Sequence, residues 1–129
     1  MSSAPNPRGF KQMLAEANAV IETIDVQHAL RLVGDNSVQF VDIREAHEVA
    51  QGGTLPGAVH APRGFLEFLA DPECPMHNKA LAGRKLVLFC ASGGRSTLAA
   101  KTLYDMGLDA CHIAGGVAAW SAAGGPIQK

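Results

Sequence analysis

One short segment of the sequence combines a nucleophile with groups that stabilise a negative charge. Cys90 is followed by small residues, by glycines at 93 and 94, and by Arg95. The glycines let the backbone curl, so that several amide N–H groups point inward. A helix is predicted to begin in the same segment, and its N-terminus adds partial positive charge. These surroundings favour the thiolate of a cysteine whose ordinary pKa is about 8.5, and they would also hold an anion.

The segment therefore predicts a catalytic cysteine beside an anion-binding loop. Cys90 is interpreted as the nucleophile, and Arg95 supplies a full positive charge if its side chain turns toward the pocket. The predicted substrate-binding residues of the loop are Ala91, Ser92, Gly93, Gly94, Arg95 and Ser96. A separate general base is not required, because the loop itself keeps the thiol ionised. The interpretation does require that the thiol have a lowered pKa and be open to solvent.

The other two cysteines lack this combination of neighbours. Cys111 lies in the apolar segment 110–114, without the glycine cradle and arginine that accompany Cys90, and is predicted to pack in the core. Cys74 lies in a predicted loop beside Pro75 and near His77, which is fewer ligands than a zinc site needs, so no metal site is predicted. Three cysteines are also too few and too scattered for a disulfide framework, which indicates a reduced, cytoplasmic protein.

The segments around Cys90 predict a parallel sheet that presents the cysteine. A strand is predicted at 85–89, which is apolar at every position after Lys85, as in a central strand covered on both faces, and Cys90 follows at its carboxyl end. The alternation of strands and helices predicts an α/β fold with helices on both faces of the sheet. Further strands are predicted at 38–41, 58–60 and 110–114, with helices from 7 to 21, over about 26–33, 45–50 and 65–70, after 96 to about 106, and around Trp120.

The composition bounds the class of protein. A chain of 129 residues with 47% hydrophobic residues fits one globular domain with its own core. A net charge of -1 argues against a nucleic-acid or membrane-surface partner, and no apolar run approaches the roughly 18 residues of a membrane span. Residues 1–21 are predicted as a loose tail and an amphipathic helix with Asn6 as its N-cap, and residues 22–129 as the main domain.

Four motifs occur in order along the chain. They are VDIR at 41–44 with Glu48 after it, GTLPGA at 53–58, CASGGRS at 90–96, and GGV at 115–117 followed by Trp120. Together they resemble the rhodanese family, and the resemblance covers about residues 22–124. The sequence departs from the family pattern at Thr54, where a histidine is usual, and at His60, where an asparagine is common.

The resemblance implies a three-layer α/β fold with a five-stranded parallel sheet. It implies a sulfurtransferase without a cofactor, in which Cys90 takes a sulfur atom from thiosulfate or a similar anionic donor and passes it to a thiol or cyanide. Asp42 and Arg44 resemble the buried acidic–basic pair that braces the site in the family. Arg63 follows the third predicted strand at the same end of the sheet, and is either a contact for the anionic donor or a solvated surface residue.

Two other classes of function remain as alternatives. Cysteine-dependent phosphatases and arsenate reductases also place a cysteine and an arginine around an oxyanion, but usually with five residues between them. Here four residues separate Cys90 from Arg95, and a shorter loop makes a smaller cradle. The second alternative is a binding module that uses the fold without catalysis, against which the intact Cys90 and its loop argue.

Overall fold

The computed structural model describes residues 7–129, in which five strands form one parallel sheet. The spatial order of the strands is β1-β5-β4-β2-β3, so the apolar strand that precedes Cys90 lies in the middle, as predicted. The strands are β1 (Glu22–Ile24), β2 (Val38–Asp42), β3 (Val59–His60), β4 (Lys85–Phe89) and β5 (Ala110–Ile113).

Helices cover both faces of this sheet, which confirms the predicted three-layer α/β architecture. They are α1 (Phe10–Asn18), α2 (Val26–Leu30), α3 (Ala46–Gly52), α4 (Leu66–Ala70), α5 (Gly94–Asp105) and α6 (Gly116–Ala122), with short 3-10 helices at Arg63–Phe65 and Lys79–Leu81. No helix within residues 7–129 is long and apolar enough to cross a membrane.

The central strand supplies apolar side chains to two cores, one on each face. Leu86 and Leu88 of β4 pack with residues of α4 and α5, whereas Val87 and Phe89 pack with residues of α2 and α6. Successive side chains of a strand point to opposite faces, so a continuous apolar run is needed where both faces are covered. The two cores fix β4 rigidly, and with it the position of Cys90 at its end.

The boundaries differ from the predicted ones at several elements. The strand β1, which the residue pattern did not locate, pairs with β5 at the edge of the sheet. Helix α2 ends at Leu30 rather than at about residue 33, because residues 31–34 close as tighter turns before Gly34, which has a φ of +80°. The predicted N-cap at Asn6 and the predicted loose tail lie outside the described residues.

Helix α1 lies against α5, the helix that follows Cys90. Its residue Ala17 is buried in this contact, while Phe10 and Met13 stay largely exposed. A methyl group added at Gly94 would lie 3.7 Å from the ring of Phe10, so the start of α1 lies beside the start of α5. The division of the chain at residue 21 stays a prediction.

Candidate active site

The segment between β4 and α5 forms a tight loop over the carboxyl end of the central strand. Gly93, the N-cap of α5, has a φ of +109°, a conformation that side-chain-bearing residues rarely adopt. A Cβ at this position would also lie 3.3 Å from the backbone nitrogen of Gly115. Both observations explain the glycine, since the turn at Gly93 directs the following amides back toward Cys90.

The sulfur of Cys90 lies among hydrogen-bond donors. Gly93 N–H donates to Cys90 Sγ at 3.1 Å and Ser96 N–H donates at 3.4 Å, while the thiol lies 3.6 Å from the hydroxyl of Ser96. Burial by itself raises the pKa of the Cys90 thiol, but the hydrogen bonds from Ser96, Gly93 and Ser92 outweigh it, and the net pKa is lowered. The geometry therefore favours a thiolate.

Two carbonyl groups of the loop accept hydrogen bonds from α6. Val117 N–H donates to Cys90 O at 2.9 Å, and Ala118 N–H donates to Ala91 O at 3.0 Å. The start of α6 can approach the loop this closely because Gly116, its first residue, has no side chain and has a φ of +56°. With its carbonyls turned toward α6, the loop directs N–H groups toward the sulfur, which gives the GGV motif a physical role.

The guanidinium of Arg95 is paired with a carboxylate of α3. Arg95 donates two hydrogen bonds to Glu48, at 2.8 and 2.9 Å, and these hydrogen bonds lower the pKa of Glu48 to about 2. The pKa of Arg95 is raised, first by Glu48 and also by its interactions with Cys90. The side chain of Arg95 is 40% exposed, so it connects the solvent with the neighbourhood of the sulfur.

Asp42 and Arg44 form a buried ion pair at the end of β2, the strand next to β4. Arg44 Nε and Nη2 donate to the two carboxylate oxygens of Asp42 at 3.0 and 2.7 Å, and both side chains are more than nine-tenths buried. Asp42 pairs in register with Phe89, the residue before Cys90. The pair therefore stabilises the end of the strand that precedes the loop.

Both departures from the family pattern contact this ion pair. Thr54 Oγ1 donates to Asp42 Oδ2 at 2.7 Å, and His60 Nε2 lies 2.7 Å from the carbonyl oxygen of Arg44. Thr54 is in turn held by Gln128, through backbone hydrogen bonds of 2.9 and 2.8 Å that form an isolated antiparallel bridge. The substituted residues thus supply hydrogen bonds to the support of the site.

The expectation that the thiol is open to solvent is wrong. Cys90 exposes only 1% of its surface. The amides that lower the pKa of the thiol are also the groups that enclose it, because the loop closes over the sulfur to bring them within hydrogen-bond distance. The sequence shows the donors, but their distance from the sulfur depends on how α6 and α5 pack around the loop.

The comparisons with known proteins agree with this fold. A family model described as the rhodanese-like domain matches residues 25–123. The chain belongs to the rhodanese-like domain family.

Relatives of this rhodanese-like chain carry different functional names. A protein named sulfurtransferase from Allochromatium vinosum is 34% identical over 98 residues, which cover 75% of this chain and 84% of that protein. A tRNA uridine(34) hydroxylase from Mesorhizobium japonicum is 35% identical over 88 residues, which cover 67% of this chain but only 28% of the hydroxylase. The chain thus spans less than a third of that relative.

Two solved structures with rhodanese-like folds extend the comparison. A protein of unknown function from Rhodopseudomonas palustris, described as a possible tyrosine phosphatase, is 45% identical with a TM-score of 0.90 and 99% of both chains covered. The polysulfide-sulfur transferase of Wolinella succinogenes is 28% identical with a TM-score of 0.67, covering 92% of this chain and 86% of that one.

The predicted role of Arg63 is not supported by its contacts. The guanidinium of Arg63 donates to Glu67 Oε1 at 2.9 Å and to Thr102 Oγ1 at 3.1 Å. Thr102 lies two turns of α5 beyond Arg95, so these contacts hold Arg63 on the flank of the helix rather than over its start. The structure therefore does not bring Arg63 together with the loop of the rhodanese-like site.

The other cysteines lie as the sequence analysis predicted. Cys111 is buried in the core on the α2 and α6 face, and burial raises its pKa to about 12. Cys74 lies half-buried in a turn, where its N–H donates to Asp71 O at 3.0 Å. Among residues 7–129, no group of three or more histidine, cysteine, aspartate and glutamate side chains is placed to hold a metal ion.

Two residues of the site were missed by sequence reasoning. Glu48 was noted only as part of a motif, and its spacing from Arg95 gives no signal that the two side chains meet. The spacing of His112 gives no signal of a partner, yet its Nδ1 lies 2.9 Å from Ser96 Oγ beneath the loop. Its position in a strand otherwise made of apolar residues was the available signal, since a buried polar side chain needs a partner.

A cavity of about 700 Å³ lies at the opposite edge of the sheet. Its lining includes Lys85, Leu86 and Asp109, at the amino ends of β4 and β5. Ligands of open parallel sheets bind at the carboxyl ends of the strands, where Cys90 lies. We therefore assign the candidate active site to the Cys90 loop and not to this cavity.

Proposed function

We propose that this chain is a sulfurtransferase in which Cys90 carries the transferred sulfur as a persulfide. The observation that carries the proposal is the pair of amide N–H groups, from Gly93 and Ser96, directed at Cys90 Sγ at 3.1 and 3.4 Å. They favour the thiolate, which is the nucleophilic form of cysteine. The names of the Allochromatium vinosum and Wolinella succinogenes relatives support the same reaction class.

In the first half-reaction, the Cys90 thiolate attacks the outer sulfur of thiosulfate or of a similar anionic donor. A bond forms between Cys90 Sγ and that sulfur, the sulfur–sulfur bond of thiosulfate breaks, and its electron pair leaves with sulfite. The negative charge of the thiolate then resides on the outer sulfur of the persulfide. The amides around the sulfur stabilise this charge as they stabilised the thiolate.

In the second half-reaction, a thiol or cyanide attacks the outer sulfur of the persulfide. The new bond forms between the acceptor and that sulfur, and the electron pair of the Sγ–S bond returns to Cys90 as the thiolate. The loop thus stabilises both the nucleophile of the first step and the leaving group of the second. This double displacement predicts ping-pong kinetics.

Arg95 is the group that meets the donor in this proposal. Its side chain is 40% exposed and acts on Cys90, whereas the thiol itself is buried. An anionic donor binds the exposed side of the guanidinium, which Glu48 holds in position, and reaches the buried sulfur when the loop opens. The buried Asp42–Arg44 pair keeps the end of β2 in place while the Cys90 loop opens.

Mass spectrometry with a panel of donors tests the proposal. Thiosulfate, mercaptopyruvate and polysulfide are each incubated with the wild type, with Cys90→Ser, and with Cys74→Ser as the matched control. We expect the wild type and Cys74→Ser to gain the mass of one sulfur atom on the peptide containing Cys90, with release of sulfite from thiosulfate. Cys90→Ser should gain none. An unmodified Cys90 with every donor would contradict the proposal and favour a binding module.

A cysteine-dependent phosphatase is the second candidate, because the Rhodopseudomonas palustris structure is 45% identical and described as a possible tyrosine phosphatase. One feature of this chain counts against it. Only four residues separate Cys90 from Arg95, which makes a smaller cradle than the phosphatase loop. A chromogenic phosphate ester assayed beside thiosulfate separates the two reactions. Turnover of the ester alone would reverse this ranking.

A further inference from the structure

A chain of hydrogen-bonded side chains leads from Cys90 into the protein interior. Cys90 Sγ lies 3.6 Å from Ser96 Oγ, and Ser96 Oγ lies 2.9 Å from Nδ1 of His112 on β5. The exposed fractions of Cys90, Ser96 and His112 are 1%, 0% and 3%. The sulfur is therefore connected to a buried imidazole by one serine hydroxyl, within a region that solvent does not reach.

Thr97, the residue after Ser96, indicates where the protons lie in this chain of side chains. Thr97 Oγ1 donates its proton to Gly93 O at 2.7 Å, so toward His112 it presents a lone pair. We therefore assign the ring proton of His112 to Nε2, which lies 3.4 Å from Thr97 Oγ1. A neutral imidazole carries one proton, so Nδ1 is an acceptor and receives the hydroxyl proton of Ser96.

With its proton directed at His112, Ser96 presents a lone pair to Cys90. The thiol S–H then donates to Ser96 Oγ, and the proton path runs from sulfur through oxygen to Nδ1 of His112. Ser96 Oγ can instead donate to Gly93 O at 3.2 Å, but this contact is longer than the 2.9 Å contact with His112. The uncharged resting state is thus aligned for proton transfer in one direction.

The alignment of these side chains matters because a buried thiol cannot lose its proton directly to water. Sulfur transfer requires the thiolate, but water has no direct access to a residue that is 1% exposed. The thiol proton must pass to a protein group or wait for the loop to open. Of the side chains within residues 7–129 that interact with Cys90 or Ser96, His112 is the one that can take up and hold a proton, because Arg95 is already protonated.

We infer that His112 is a positioning residue that orients Ser96 and takes up the thiol proton of Cys90 through the Ser96 hydroxyl. The inference rests on the proposed function, since it concerns the activation of the same nucleophile. The S–H bond of Cys90 breaks and a new O–H bond forms on Ser96. At the same time the original Ser96 proton moves to Nδ1 of His112. The products are a thiolate, a neutral serine and an imidazolium, with no proton gained or lost.

The surroundings of His112 suit a group that is neutral at rest. Its neighbours in register are Thr23 on β1 and Leu88 on β4, both uncharged, and from α5 it meets the hydroxyls of Ser96 and Thr97. Burial lowers the pKa of His112 and keeps the imidazole unprotonated while Cys90 is a thiol. Formation of the thiolate supplies the charge that favours the imidazolium. The Arg95–Glu48 pair also acts on Cys90 from the loop side.

The substitution His112→Asn separates proton uptake from orientation. The amide oxygen of asparagine can accept the Ser96 hydroxyl in place of Nδ1, but an amide does not take up a proton. Exposed His28 on α2 gives the matched control, His28→Asn. The rate of alkylation of Cys90 by iodoacetamide is measured against pH by mass spectrometry of its peptide, in the wild type and in both variants.

We expect two results from alkylation. In the wild type and in His28→Asn, the rate falls on the acid side by clearly less than tenfold per pH unit, because the coupled pair loses no proton when the thiolate forms. In His112→Asn the rate falls tenfold per pH unit and is about tenfold below the wild type near pH 6, as expected for a thiol pKa raised by about one unit. Identical profiles in all three proteins would overturn the inference.

A second measurement needs only the wild type and stays decisive if His112→Asn does not fold. Nitrogen chemical shifts of the five histidines distinguish protonated from unprotonated ring nitrogens. We expect the buried histidine to carry its proton on Nε2 while Cys90 is a thiol. A proton on Nδ1 in that state would overturn the inference. Neither measurement uses a sulfur donor, so each can fail or succeed independently of the persulfide test.

Discussion

Replacing Gly116 by alanine tests whether the start of α6 positions Cys90, the proposed nucleophile. Gly116 has a φ of +56°. A Cβ at this position would lie 2.8 Å from the carbonyl carbon and oxygen of Ala91, and closer still to the carbonyl oxygen of Cys90. All of these atoms belong to the backbone of the loop, so no side-chain rotation relieves the overlap. The loop and α6 must therefore separate.

The size of the effect follows from three contributions. Ordinary contacts between carbon and oxygen are about 3.3–3.6 Å, so the separation is about 1 Å. Such a shift weakens the hydrogen bonds of Val117 and Ala118 to the loop, each of which contributes about 1 kcal/mol. The left-handed conformation costs an alanine a further 1–2 kcal/mol, roughly. We expect the free energy of unfolding to fall by about 2–4 kcal/mol, and kcat/KM for sulfur transfer to fall about a hundredfold.

Gly34→Ala is the matched control for this substitution. Gly34 has a φ of +80°, but a Cβ there meets no atom within 4 Å. It should lose only the conformational contribution, about 1–2 kcal/mol, and keep its sulfur-transfer activity. Urea unfolding followed by circular dichroism gives the stabilities, and the persulfide assay gives the activity. Equal losses of stability in the two variants, with kcat/KM unchanged in Gly116→Ala, would refute the reasoning.

Three further predictions concern the charged groups of the site. Asp42→Asn leaves the buried guanidinium of Arg44 without its counter-charge, so urea unfolding should show a loss of about 3–5 kcal/mol, and a loss below 1 kcal/mol would contradict the role of the pair. Glu48→Gln should change the free energy of unfolding by less than about 1 kcal/mol, because the ion pair with Arg95 is partly exposed. It should raise the KM for thiosulfate about tenfold, because Arg95 is no longer held in position. An unchanged KM would argue against Glu48 as the residue that positions Arg95. The lowered pKa of Cys90 makes its thiolate stabilise the folded state above the unfolded thiol pKa of about 8.5, and this stabilisation is lost as pH falls through the folded pKa. The difference in unfolding free energy between wild type and Cys90→Ala should therefore grow as pH rises toward 9, roughly, and a difference independent of pH would contradict the lowered pKa.

The loop around the proposed nucleophile was predictable because its residues are contiguous in the sequence. Cys90, the glycines and Arg95 follow one apolar strand, and the conformational requirement at Gly93 can be recognised from the residue type. The middle position of β4 was predictable for a similar reason, since only a strand covered on both faces is apolar at every position. These features depend on local sequence and on one rule of sheet packing.

The partners of the loop were not predictable from spacing. Glu48 reaches Arg95 from another helix, and His112 reaches Ser96 from a neighbouring strand. Each contact depends on the twist of the sheet and on the packing of helices against it, which the linear sequence does not express. The burial of Cys90 has the same origin, because the helix that packs over the loop, α6, begins more than twenty residues after Cys90 in the sequence.

The bridge between Thr54 and Gln128 has a consequence for biosynthesis. Thr54 holds the carboxylate of Asp42, and its own backbone is held by Gln128. Gln128 lies thirty-eight residues after Cys90. A ribosome must therefore translate well past the cysteine codon, and the nascent chain must emerge from the exit tunnel to that point, before the support of the active site is complete. Until then we expect the thiol of Cys90 to be less completely enclosed than in the folded protein, and therefore more accessible to oxidants.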